Sequence, residues 1–295
     1  MNLLESSEIT INGISFDIKK NVKDVLIDVN TGNKQYSFHD GPIIGNKPNV
    51  YFLFETPFHE AFGHWVFESA IFLPFVKHFI DNDRFFLLVN KNNERKYKKS
   101  FFKLFNISDA NIHYINNSHI HTCDVSYRDI PDNNISIVCN NFILNQIPSS
   151  LNESSIEKIK YLLNMFYETT STGINNNKQT ENLLLPRSKV ENYLPNDRQI
   201  SYDLIYQLLK DKEYISYDTQ ETDNFSEQIL LLQQSTNIYT YWGSSFIVNG
   251  FFSRNSNIYV IMDCNIDYNY HHNKYIICNI IKSIIETNNN IYLLQ

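Results

Sequence analysis

The sequence predicts an α/β protein of two Rossmann-like lobes. Three observations carry this. Short apolar or β-branched runs alternate with stretches of helical periodicity, the pattern of strands layered with helices. After residue 182 the pace of strand, helix, strand, helix is that of a doubly wound sheet. Between the two halves, residues 168–181 lose every apolar side chain except Ile174 and contain Asn175-Asn176-Asn177, a shift that reads as a linker. The expected division is 1–168 for an N-terminal lobe with extra N-terminal strands, 169–181 for the linker and 182–295 for a C-terminal lobe. The last helix is free to pack back on the first lobe.

In the first half, Ile9 to Ile18, Asp24 to Val29 and Val50 to Phe54 read as strands separated by Asn, Gly and Pro. His39-Asp40-Gly41-Pro42 is a turn. The densest stretch follows, from Phe58 to Pro74. Apolar residues at 62, 65, 66, 70 and 73 mark one helix face, and Glu60, His64 and Glu68 recur every four residues as a polar stripe. Such a stripe fits either a buried site lined by one helix or a solvated edge. His59 and His64 resemble a zinc-protease pair but stand five residues apart, about 140° around a helix of 3.6 residues per turn, so they do not share a face.

Phe85 to Val89 is wholly apolar, consistent with a strand buried on both faces. The basic run Lys91 to Lys99 reads as the solvated start of a helix over Lys98 to Phe105, with a phosphate-facing patch as the lesser alternative. Ile112 to Ile115, His119 to Val125 and Ile135 to Cys139 are further strands. His119, His121 and Cys123 would share one strand face, but no fourth ligand is adjacent, so no metal is expected. Ser154 to Tyr167 has helical periodicity.

In the second half, Asn182 to Leu185 is a short strand that delivers Arg187 at its carboxyl end. A helix over Ser201 to Lys210, a strand over Tyr214 to Tyr217 and a helix from Phe225 to Gln234 capped by Ser226 come next. Asn237 to Tyr241 is a strand ending in Trp242-Gly243-Ser244-Ser245-Phe246 and a short helix. Asn257 to Met262 is a strand, and Tyr275 to Ile285 a helix.

Composition narrows the function. At 295 residues, 42% hydrophobic and 14% aromatic, the chain is globular. A net charge of −7 argues against a nucleic-acid binder. No apolar run reaches the roughly 18 residues that span a bilayer, and the start of the chain lacks the pattern of a signal peptide, so a cytoplasmic protein is expected. The four cysteines show no CxxC spacing and are expected as free thiols. With only eight glycines, each is expected where backbone geometry requires one.

In doubly wound sheets, ligands sit beyond the carboxyl ends of the strands. Arg187 and Gly243-Ser244-Ser245 both lie there. The glycine lets a ligand approach the backbone, the serines open a helix whose N–H groups favour anions, and the arginine pairs bidentately with phosphate. Together they describe a diphosphate site, or else an ordinary turn beside a surface arginine. Neither G-x-G-x-x-G nor the Walker A pattern is present, so neither a bound dinucleotide nor a P-loop is expected.

Five motifs occur in order: Gly63-His64-Trp65-Val66-Phe67-Glu68, Leu184-Leu185-Pro186-Arg187-Ser188, Arg198-x-Ile200, Phe225-Ser226-Glu227-Gln228 and Gly243-Ser244-x-Phe246. In this the chain resembles glycosyltransferase family 61, over roughly residues 50 to 265. The resemblance implies a GT-B fold, two lobes facing a central cleft. It implies inverting, metal-independent sugar transfer from a nucleotide-sugar donor, taken here as UDP-linked, to a glycan, glycoconjugate or other hydroxyl acceptor. It places the donor on the C-terminal lobe and the acceptor on the N-terminal lobe, with no further cofactor. Trp242 stands where the family has a histidine, and Asn249 falls one position late. The catalytic base is expected among His64, Glu68 and Glu60. Donor contacts are expected from Arg187, Arg198, Trp242, Gly243, Ser244, Ser245 and Glu227. An inactive carbohydrate- or nucleotide-binding protein and an oligomeric scaffold are the rival readings, and homo-oligomerisation is left open.

Overall fold

A computed structural model describes residues 8–11, 14–21, 24–27, 49–54, 61–80, 85–90, 96–115, 135–140, 151–174, 177–186, 202–218, 224–262 and 276–294. The chain divides into two compact units, Met1–Thr169 and Thr170–Gln295. Both are α/β.

The first unit is built on a seven-stranded sheet. Its strands are β1 (Glu8–Ile11), β2 (Ile14–Asn21), β3 (Asp24–Ile27), β4 (Asn49–Leu53), β5 (Phe85–Asn90), β6 (Ile112–Ile115) and β7 (Ile135–Asn140). The expected single strand from Ile9 to Ile18 is in fact two. β1 and β2 pair antiparallel with Ile11 opposite Ile14. The overlooked signal is the Asn12-Gly13 dipeptide, the strongest short hairpin marker. The sheet order is β1-β2-β3-β7-β4-β5-β6, parallel from β3 onward. Counted from β4, the strands β6-β5-β4-β7 follow the 3-2-1-4 order of a Rossmann half.

Helices α1 (Phe62–Glu68) and α2 (Leu73–Ile80), joined by a 3₁₀ turn at Ala70–Phe72, connect β4 to β5. Helix α3 (Lys96–Leu104) connects β5 to β6. Leu87, Leu88 and Val89 are buried, as a strand paired on both sides requires. Helix α4 (Glu153–Ser171) buries Ile159, Leu162, Leu163 and Phe166 at spacings of three and four. Asn152 caps it, its side-chain oxygen accepting from the Ser155 N–H at 2.8 Å. Phe166 stacks on Phe101 and Phe105 of the α3 segment, at 5.8 and 5.6 Å between centroids.

The second unit carries a wholly parallel five-stranded sheet. Its elements run β8 (Thr180–Leu184), α5 (Tyr202–Leu209), β9 (Ile215–Ser216), α6 (Phe225–Gln234), β10 (Ser235–Tyr241), α7 (Ser244–Phe252), β11 (Asn257–Ile261), α8 (Ile276–Asn288) and β12 (Asn290–Leu294). The order β12-β11-β10-β8-β9 is the flavodoxin-like 2-1-3-4-5 arrangement. Right-handed crossovers put α5 on one face and α6, α7 and α8 on the other. On the α5 face, Ile205 and Leu209 pack against Leu184, Tyr239, Tyr241 and Ile261. On the other, α7 lies against both α6 and α8. A Cβ at Gly250 would stand 3.2 Å from Ile285 on α8, so this glycine sets how closely the two helices approach.

Two rows of side chains cross this sheet on the α5 face. Asn182, Asn237, Asn257 and Asn290 occupy one register level on four strands. Each Nδ2 donates to the next: Asn290 to Asn257 at 3.0 Å, Asn257 to Asn237 at 3.0 Å, Asn237 to Asn182 at 3.2 Å and Asn182 to the Glu213 carbonyl at 3.0 Å. Two residues further along, the rings of Tyr239, Tyr259 and Tyr292 stack at 4.8 and 5.0 Å. At the opposite, amino end, Lys178 Nζ donates to the carbonyls of Gln233, Ser235 and Arg254 and to Ser256 Oγ, at 2.7–2.9 Å.

Candidate functional site

Each sheet has a point where successive connections leave in opposite directions, and there the carboxyl ends of two strands open a crevice. In the first unit it lies between β4 and β7, since β4 leads on to β5 while β7 sits on its other side. In the second it lies between β8, which leads to β9, and β10, which leads to β11. Two of the motifs singled out from sequence follow strands at these points: the one on the helix after β4 and the one after β10.

In the first unit, α1 is the helix that follows β4, and His64 is in its first turn. Trp65 holds α1 down. It is fully buried, with edge-on contacts to Phe54, Tyr97, Phe101 and Phe102 at 5.3–6.2 Å. Such pairs contribute about 0.5–1.5 kcal/mol each beyond area burial. One turn apart, Nδ1 of His64 lies 2.7 Å from Oε1 of Glu68. The imidazole is 33% exposed and the carboxylate fully buried. A buried carboxylate is an acceptor, so the proton of a neutral imidazole sits on Nδ1 and Nε2 becomes the basic nitrogen. Along the polar stripe, burial increases from His64 to Glu68. Glu60, its third member, lies outside the described residues.

Lys98 is the residue that sequence reasoning misplaced. It was read as part of a solvated basic run, yet it is 2% exposed, with Nζ 5.9 Å from the centre of the Trp65 ring. Lysine is almost never fully buried unless paired, and in the first turn of α3 the Trp65 ring forms part of what surrounds this one. The run gives no hint of this, because only the packing of α3 on α1 buries one charge while leaving Lys99 exposed.

In the second unit, Trp242 and Gly243 form the turn from β10 into α7, which Ser244 and Ser245 open. Trp242 continues the strand by one bond, its N–H donating to the Ile261 carbonyl at 3.0 Å, and its ring stacks on Phe246 at 5.5 Å. Gly243 has φ +112° and ψ −150°, a conformation essentially confined to glycine. It precedes α7 without a side-chain cap, so the opening turn there carries N–H groups that its own cap leaves unsatisfied. Ser244 is exposed and Ser245 half-buried. Glu227 is exposed in the first turn of α6, at the same carboxyl edge. The cap of α6 is Asn224 and not Ser226: the Asn224 side chain accepts from the Glu227 N–H at 3.3 Å, while Ser226 lies inside the helix. Asn249 is buried and accepts from Gln228 Nε2 at 2.7 Å, tying α7 to α6.

Arg187, Arg198 and the His119, His121, Cys123 strand lie outside the described residues. Among the described residues, no group of three or more His, Cys, Asp or Glu is placed to hold a metal, and no helix is long and apolar enough to cross a membrane. Compared with known protein families the chain matches none, and no curated protein matches it.

Proposed function

We propose that this protein is an inverting glycosyltransferase of GT-B type, the first unit taking a hydroxyl acceptor and the second a nucleotide-sugar donor. The observation that carries the reading is topological. His64 and Glu68 follow the strand at the switch point of one sheet, and Trp242 to Ser245 follow the strand at the switch point of the other. Two of the motifs picked for their chemistry thus follow strands at which doubly wound sheets commonly bind ligands, which supports the reading.

In this mechanism the acceptor oxygen attacks the anomeric carbon opposite the leaving diphosphate. The new C–O bond forms as the bond to phosphate breaks, which inverts the centre. Nε2 of His64 takes the acceptor proton, and Glu68 holds the imidazole in the required tautomer and stabilises the imidazolium. Glu68 is too buried to meet an acceptor itself, so it is a positioning residue. The leaving diphosphate lies against the opening turn of α7, where N–H groups and the helix dipole favour negative charge, with Arg187 and Arg198 as counter-ions. Trp242 offers an aromatic surface to the base or sugar.

The test is a panel of nucleotide sugars with the purified protein, reading thermal shift, donor hydrolysis and transfer to simple glycan acceptors. A ligand at 100 times its dissociation constant stabilises by about 2.7 kcal/mol. Binding with transfer or hydrolysis supports the reading. Binding without either makes the protein a nucleotide-sugar binder, and no binding at all rejects the proposal.

A further inference from the structure

We propose that β12 is a self-association edge, to which a second copy of this chain adds its own β12 in antiparallel sense, with the two-fold axis beside Tyr292. β12 is the terminal strand of its sheet, and among the described residues nothing pairs with its outer side. A row of free backbone donors and acceptors accepts only another extended strand. Edges that must stay single are guarded by Lys, Pro or charge, yet residues 287–295 contain none. In a chain of net charge −7, this neutral seam is where two copies meet without like charges opposed.

The side chains fit the same occupant. The stacked row Tyr239, Tyr259, Tyr292 ends at Tyr292, which is 45% exposed. Leu293, on the other face of the strand, is 43% exposed. A two-fold at Tyr292 sets Tyr292 against its counterpart, so the ring stack continues across the seam. It also sets Ile291 against Leu293, covering the second face. A pair of five-residue strands buries less than the roughly 1,200 Å² of a standard interface, so the dimer is weak and concentration-dependent.

Sedimentation velocity over a wide concentration range should show a monomer passing to a dimer. Leu293→Lys, at an exposed position, should keep the circular dichroism of the parent and raise the dimer dissociation constant at least tenfold. Register is tested by oxidation of single-cysteine variants. In Tyr292→Cys the two Cα atoms stand about 4.5–5.5 Å apart, within disulfide reach, and a covalent dimer should form. In Asn290→Cys they stand about 14 Å apart and none should form. A monomer at every concentration, open-ended larger assemblies, or equal cross-linking at both positions would overturn the proposal.

Discussion

Nδ1 of His64 and Oε1 of Glu68 meet at 2.7 Å across one turn of α1, with only the imidazole reaching solvent. This orders the two by role. His64→Asn should lower sugar transfer by roughly 10²–10⁴ while donor binding is unchanged, the scale of a lost general base. Glu68→Gln can still accept from Nδ1–H, so it should lower turnover less than His64→Asn. Transfer and donor affinity measured on the same preparations check the order. Equal transfer by both variants and the parent would remove α1 from the mechanism.

The same pair has a stability consequence. His64→Ala leaves the Glu68 carboxylate buried without its imidazole, and should cost about 1–3 kcal/mol. His64→Ala combined with Glu68→Leu should recover part of that loss, because the buried carboxylate is removed with its imidazole. Urea denaturation of the single and double variants measures it.

Gly243→Ala should destabilise by about 1–3 kcal/mol, since alanine is strained at φ +112°. Nucleoside-diphosphate binding should weaken as well, because the strand-to-helix turn must shift. Arg187→Ala should weaken that binding by roughly 1.5–3 kcal/mol without a stability cost of the same size. Calorimetry and thermal denaturation on both variants separate the two effects.

Lys178→Met should cost about 1.5–3 kcal/mol, the scale of a hydrogen bond to a charged group. Burial pulls the Lys178 ammonium down to about 8, whereas four oxygens at 2.7–2.9 Å favour the charged form. The contacts dominate near neutral pH, where the group is protonated on either account. Denaturation at pH 7 checks the cost.

The middle of the asparagine row should matter more than its end. Asn237→Leu removes a donor to Asn182 and an acceptor from Asn257 and should cost about 1–3 kcal/mol. Asn290→Leu removes one bond at an exposed site and should cost under about 1 kcal/mol. Comparing the two denaturation midpoints tests the ranking.

Strand and helix placement was largely legible because burial writes itself into apolar spacing. β5 shows as the unbroken apolar run Phe85 to Val89, and Glu153–Ser171 as a three-four repeat. What escaped was polar. Asn12-Gly13 is hidden inside an apolar run, and the spacing favours Ser226 as the cap of α6 where Asn224 makes it. β12 opens on the last of a Thr-Asn-Asn-Asn run and was not among the expected strands. Asparagine serves turns, caps and ladders alike, so in an asparagine-rich chain its role is set by which strand lies beside it. Lys98 escaped for a related reason: spacing shows which residues share a face, not which charge the next helix covers. The functional motifs were legible as chemistry, but their placement at two switch points required the strand orders.

The asparagine row also has a polarity. Every amide points its nitrogen the same way, from β12 toward β8, so one alignment of four strands closes the whole chain of donors and a shift of one residue in any strand breaks that strand's links in it. Parallel sheets assemble from distant segments and are exposed to mispairing as they do. Here a misaligned strand gains nothing from the row until it slides home, so the row acts as a gauge for register during folding. Loss of a central rung should therefore leave not only a weaker sheet but one that refolds to a mixture of alignments.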